Sequence, residues 1–531
     1  MKINSILIGF VLLILPHFLF AEVSLNSLFA DHMVVQQKSN IPVWGWANPL
    51  EKVQVNASWG AKSETIAHAD GSWSLQLKTP KAGGPFQIVI SGSNQIVLDD
   101  VLSGEVWLCT GQSNMDFAMS KFTSDSREEK YQPLVEFIRE EVKTANDSFI
   151  RHIEVAQTSS LYEKKNNFKG EWRSATANQV KKITAIGYFF AKELRKELNV
   201  PIGIVECAWG GTRIQPWLSE DAYMADEELK AFFNQNRAEA KILTAEMSKE
   251  GYADTVYQKK LKIWKANKKS VRKPYPSVDP EMDKQMPATL YNGMLSAIIP
   301  FAVKGVLWYQ GESNSHYLEN EYEKYFTTLI ESWRADWGQK DLPFYWAQLA
   351  AYHVPDERSD MGWASVNDQL RRTLKLRNTG MAVLYDIGEA KDVHPHNKMD
   401  AGRRLALWAL SKDYKVKVPA VSGPLYKSQK IVGESIVIKF DQVGSGLMVG
   451  HKELSAKTIP VDTVLSWFQI AGEDHIWKAA EAKIVSKNTI EVSSSEVKAP
   501  RMVRYGWSSN PEGANLYNKE GLPASVFSSE E

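Results

Sequence analysis

Cysteine is nearly absent. Cys109 and Cys207 are the only two in 531 residues, which excludes a disulfide framework. Each stands four residues before a turn position of interest, Ser113 and Gly211. A bridge between neighbouring strands and a pair of buried thiols are both open readings. Net charge is absent as well: Lys plus Arg and Asp plus Glu number 63 each. That balance removes any global electrostatic reason to expect nucleic acid or an anionic membrane surface as a partner. Long apolar runs are missing beyond the N-terminus. The one run, over 6–20, follows Lys2, and Leu19-Phe-Ala21 offers a cleavage site before Glu22. It is shorter than the ~20 residues a spanning helix needs and reads as a secretory signal peptide over 1–21. A secreted or periplasmic protein with no membrane attachment after cleavage is expected.

What the chain does contain suggests two or three domains. Aromatic residues are plentiful, which suits β-rich cores and carbohydrate-facing surfaces alike. Residues 22–102 carry short alternating or β-branched segments separated by Gly, Pro, Asn and Asp, the texture of a β-sandwich. Residues 103–415 change character. Apolar strands are predicted near 106–109, 150–155, 200–208, 305–309, 344–349 and 381–386, with helical stretches between them. Such alternation predicts an α/β domain with a parallel sheet and helices on both faces. A Lys- and Glu-rich stretch over 225–275 reads as an inserted helical hairpin with a solvated face. Residues 416–531 return to β texture.

Three predicted strands end alike, at Gly111-Gln-Ser113, Trp209-Gly-Gly-Thr212 and Gln310-Gly-Glu-Ser-Asn314, and Asp392-Val-His394-Pro follows late in the domain. The carboxyl edge of a parallel sheet is where open α/β folds build their sites. Acyl transfer from a serine needs a base, a group that orients the base, and donors aimed at the developing oxyanion. Ser113 suits the nucleophile, His394 the base and Asp392 the orienting group. The N–H groups of Ser113 and Gly211, with the amide of Gln310 or Asn314, suit the oxyanion hole. Other readings stand beside these. Ser113 is equally a helix cap, His396 an alternative base, and Asp392 a cap for a helix starting near Asn397. Glu312 is a general base or a turn hydrogen-bonder. Asp386, Glu389, Asp392, His394 and His396 together are a rival metal cluster, though their spacing matches no standard ligand pattern.

Longer motifs carry a resemblance. They are Leu28-Phe-Ala-Asp-His-Met-Val-Val-Gln-Gln, Pro42-Val-Trp-Gly-Trp-Ala, Gly104-Glu-Val-Trp-Leu-Cys-Thr-Gly-Gln-Ser-Asn-Met, Leu290-Tyr-Asn-Gly-Met, Trp308-Tyr-Gln-Gly-Glu-Ser-Asn and His394-Pro-His-Asn-Lys. With these motifs the chain resembles the sialate O-acetylesterase-like family of SGNH (GDSL-like) hydrolases over nearly all its mature length. The resemblance implies a flavodoxin-like three-layer α/β domain flanked by N- and C-terminal β-sandwich-like regions. It implies a serine esterase that removes acetyl groups from an O-acetylated carbohydrate, with no cofactor and no metal. Sialate is the expected sugar. Acetylated xylan or another plant polysaccharide is the alternative, and a non-catalytic carbohydrate-binding protein the distant one. The resemblance implies Ser113 as nucleophile, His394 rather than His396 as base, and Gly211 as an oxyanion donor. Gln112, Asn114 and Glu312 are expected to support the site. Two positions depart from the family pattern. Lys391 stands where an Asp three residues before the histidine is usual, so Asp392 or a backbone carbonyl orients His394. Ser313 stands where an oxyanion asparagine is usual, so Gln310 is expected to donate ahead of Asn314. Nothing in the sequence encodes the oligomeric state.

Overall fold

A computed structural model describes residues 22–123, 126–249, 252–266, 274–354 and 357–530. The signal-peptide expectation over 1–21 lies outside the described residues. One strand, β1 (Gln95–Gly111), organises the molecule. Its first part alternates in exposure and pairs antiparallel with Gly83–Ser91 in the N-terminal β region. From Val101 onward every residue is buried, as expected of a strand covered on both faces. The expected domain boundary at 102/103 therefore falls inside a continuous strand. No linker separates the accessory β region from the turn that carries Ser113.

The buried half of β1 is the centre of a parallel sheet with β2 (Asn146–Glu154), β3 (Ile202–Ala208), β4 (Gly305–Tyr309), β5 (Phe344–Ala347) and β6 (Thr379–Ala382). The order is β2-β3-β1-β4-β5-β6, and antiparallel Arg173–Thr176 closes the β2 edge. With β2 set aside, the other five strands follow the 2-1-3-4-5 order of one doubly wound sheet type, whose switch point flanks its first strand. Here that strand is β1.

Helices cover both faces. On one, α1 (Ala185–Leu198) places Phe190 5.0 Å from the Trp107 ring. On the other, α2 (Tyr322–Asp336) stacks Phe326 on Trp308 and sets Trp333 edge-on to it. Rings this large need small neighbours. A Cβ on Gly305 would lie 2.5 Å from the Trp107 ring, so alanine there would overpack the core by about 1–3 kcal/mol. Two further helices flank the site: α3 (Glu357–Arg372) and α4 (Lys398–Lys412). On the Phe190 face, α4 places Trp408 against Tyr345. Cys109 and Cys207 are buried and unbridged.

Within 225–275 the described residues include helices at Glu227–Met247 and Thr255–Ala266. The C-terminal β region docks on the β5 and β6 side of the sheet. Gln348 donates to Ser525 Oγ at 2.8 Å, and the Tyr385 and Tyr505 hydroxyls meet at 3.2 Å. Among the described residues no helix is long and apolar enough to cross a membrane.

Candidate active site

Three strands of the parallel sheet end in glycine turns at one edge. Gly111 (φ +133°) and Gly211 (φ +73°) hold backbone conformations that side-chain-bearing residues avoid. At Gly111 a Cβ would also run into the Tyr309 carbonyl. The β3 turn lies directly against Ser113: a Cβ on Gly210 would be 3.2 Å from Ser113 Cβ. Ser113 is half-buried and caps no helix, since the next helical turn begins at Met119. Among the described residues, neither the Ser113 N–H nor the Gly211 N–H donates to a protein acceptor. Two unused backbone donors thus stand beside the serine, the arrangement an oxyanion requires.

His394 lies on the loop between β6 and α4, and Asn114 ties that loop to the serine. Asn114 Nδ2 donates to the Val393 carbonyl at 3.0 Å and to Glu312 Oε1 at 2.6 Å. Its Oδ1 accepts from the buried Lys398 Nζ at 2.6 Å, and Lys398 also donates to the Pro395 carbonyl at 2.8 Å. One amide therefore joins the loops after β1, β4 and β6. Phe117 packs its ring 5.7 Å from the His394 ring.

Asp392 is near the imidazole without hydrogen-bonding it. Its Oδ1 accepts from the His394 backbone N–H at 3.0 Å, while ring Nδ1 is 3.8 Å away, beyond hydrogen-bond reach. Its other oxygen faces Arg127 Nε at 3.7 Å. Asp392 is not the cap of α4 either: Asn397 fills that role, accepting from the Asp400 N–H at 3.0 Å. The close imidazole–carboxylate pair belongs to His396, whose Nδ1 and N–H lie 2.8 and 2.6 Å from Glu389 Oε1. Both residues are buried, and the pair clasps the loop from behind. Asp386 is held by Arg404 at 2.5 and 2.8 Å. The five residues of the rival metal cluster are thus divided among separate partners.

The electrostatics follow from burial. His394 is pushed down to about 4, first by desolvation and then by the Lys398 charge, with Asp392 opposing. Burial pushes Lys398 down to about 7 against the pull of Glu389, Glu312 and Asp392. Burial pushes the Glu312 carboxyl up, and the Asn114 hydrogen bond partly offsets it. The imidazole is therefore neutral, as a general base must be, across the range from mildly acidic to alkaline.

Two expected oxyanion donors point elsewhere. Gln310 is fully buried, and its Nε2 lies 2.9 Å from Asn314 Oδ1 and 3.1 Å from both Gln112 Oε1 and the Thr212 carbonyl. Asn314 Nδ2 donates to Gln215 Oε1 at 3.1 Å and to the Tyr317 carbonyl at 3.2 Å. An amide carries two hydrogens, so neither side chain has one left for a substrate. These amides instead lock the β3 turn to the β4 turn. Gln112 belongs to the same lattice, accepting from the Ser313 N–H at 3.2 Å.

Several residues at the site had no sequence signal of their own. Lys284 Nζ donates to the Gly210 carbonyl at 2.5 Å, and Gln285 donates to the Gly211 carbonyl at 2.6 Å. The segment after the helical insertion thus backs the glycine turn. Asp116 takes the Gly210 N–H, and burial pushes its carboxyl up. Only Lys398 lay within a recognised motif, His394-Pro-His-Asn-Lys.

Residues 103–273 and 281–411 match the family model described as carbohydrate esterase, sialic acid-specific acetylesterase. The chain belongs to this family. The esterase is 27% identical to sialate O-acetylesterase of Mus musculus over 454 residues, 78% of each chain. It is 26% identical to sialate O-acetylesterase of Rattus norvegicus over 546 residues, 94% of this chain and 93% of the other. A solved carbohydrate acetylesterase from Xanthomonas citri shares 33% identity and a TM-score of 0.76, over 96% of this chain and 99% of that one. As a member of the family the protein is a carboxylic ester hydrolase of carbohydrate acetyl esters.

Proposed function

We propose that the enzyme removes O-acetyl groups from sialic acid through a Ser113 acyl-enzyme, on an SGNH-type scaffold of flavodoxin-like strand order. Ser113 Oγ attacks the acetyl carbonyl while His394 takes its proton. The oxyanion rests on the Ser113 and Gly211 N–H groups. His394 then returns the proton to the departing sugar hydroxyl, and water, activated by the same imidazole, releases acetate and frees the serine. Asp392 supports His394 through its backbone and its charge instead of through a ring hydrogen bond. The observation that carries this reading is the Asn114 bridge to Val393 beside two unused N–H donors. The sialate preference follows the family description and the mammalian relatives. Acetate release measured side by side from O-acetylated sialic acid and acetylated xylo-oligosaccharides tests it, and faster release from the xylan fragments would overturn the preference. Export through residues 1–21 belongs to the same proposal, and the N-terminal sequence of the mature protein decides it.

A further inference from the structure

Arg213 stands two residues beyond Gly211, on the turn after β3. Its guanidinium lies 3.6 Å from the ring centroid of Tyr317, which follows the β4 turn. The stack therefore spans the two loops that flank Ser113. The Arg213 backbone is fixed as well, its N–H donating to Gln285 Oε1 at 3.0 Å.

The buried arginines of the domain spend their forks on the protein. Arg404 grips Asp386, and Arg334 donates to the Leu342 and Arg377 carbonyls. Arg213 spends none of its fork. Among the described residues no carboxylate lies within ion-pair distance of its guanidinium and no acceptor takes its N–H groups. None of its nitrogens is sealed from solvent. The carboxylate that most influences it, Asp283, ranks behind the Tyr317 hydroxyl, is engaged by the Gln285 N–H at 2.8 Å and is pushed up by its own burial. Asp116 and the cation Lys284 lie at the same glycine turn, with Lys121 4.0 Å from Asp116.

A planar guanidinium held by stacking, half-desolvated and open at its edge, is suited to a bidentate carboxylate. Its ordering is already done before a ligand arrives. We propose that Arg213 binds the substrate carboxylate and so selects acidic sugars over neutral ones. This rests on Ser113 being the nucleophile. Lys284, hydrogen-bonded to the Gly210 carbonyl, adds positive potential beside it.

The test uses the full enzyme, with Arg213→Gln and Arg213→Lys, on three substrates. These are O-acetylated N-acetylneuraminic acid, its C1 methyl ester, and p-nitrophenyl acetate. Arg213→Gln should raise KM for the acid roughly ten- to hundredfold, the scale of a lost charge-assisted hydrogen bond, and leave the other two unchanged. The wild type should prefer the acid to its methyl ester by a similar factor. Arg213→Lys, which keeps the charge and loses the fork, should recover part of the difference. An equal fall on all three substrates, or no change on the acid, would overturn the proposal. Failure of the Ser113 reading looks different: Ser113→Ala would then still cleave p-nitrophenyl acetate at the wild-type rate.

Discussion

Asn114 Nδ2 donates to the Val393 carbonyl across 3.0 Å, so the residue after Ser113 holds the residue before His394. The same side chain also hydrogen-bonds Glu312 Oε1 and Lys398 Nζ, on two buried groups of opposite charge type. Asn114→Ala removes all three contacts at once. Stability should fall by about 1–3 kcal/mol, the scale for leaving buried polar groups unpaired. The kcat of the folded fraction should fall by more than tenfold, because the base loses its anchor. Thermal melts paired with kcat on p-nitrophenyl acetate check this. A lower Tm with unchanged kcat would mean that Asn114 serves stability alone.

Asp392 Oδ1 is 3.8 Å from the imidazole Nδ1 and 3.0 Å from the His394 backbone N–H. Asp392→Ala should therefore lower kcat/KM by less than about tenfold, under ~1.4 kcal/mol of transition-state stabilisation. Asp392→Asn, which keeps an acceptor for the N–H, should stay closer to wild type. A loss near ~10⁴-fold, the scale for a carboxylate that holds the base in its working tautomer, would contradict this geometry.

The acid limb of the pH profile should lie well below the ordinary histidine range. His394 acts as base only when neutral, and burial together with Lys398 pushes its pKa down to about 4. The kcat/KM should rise with pH through that region and be level by about pH 6, two units above the midpoint. Lys398→Met removes a positive charge that opposes protonation of His394, so the limb should move to higher pH. A wild-type midpoint near the unperturbed value of about 6.5, or a downward shift in the variant, would contradict the assignment.

Much of the fold was legible because buried parallel strands announce themselves as apolar runs that stop at glycine. The runs leading to Gly111, Gly211 and Gly311 gave both the sheet and the edge where the turns gather. The turn that carries Ser113 and the motif that carries His394 were legible as segments, and Asn114 ties the two together. The orientation of an amide is not encoded locally, which is why Gln310 and Asn314 read as substrate donors and proved to be inward-facing ties. The link from Asn114 to Lys398 joins positions 284 residues apart, a pairing that no spacing rule reaches. The composition shift near residue 102 is real, yet β1 runs through it unbroken. Composition reports what surrounds a strand, and it is silent on whether the backbone continues.

The most direct test compares acetate release from O-acetylated sialic acid by the wild type and by Ser113→Ala. Ser113 shares its edge with two unused N–H donors and with the tethered His394 loop. The variant should retain its fold and lose activity by about four orders of magnitude or more, the scale for removing a serine nucleophile. Acetate release at an unchanged rate would contradict the serine mechanism and with it the role assigned to His394.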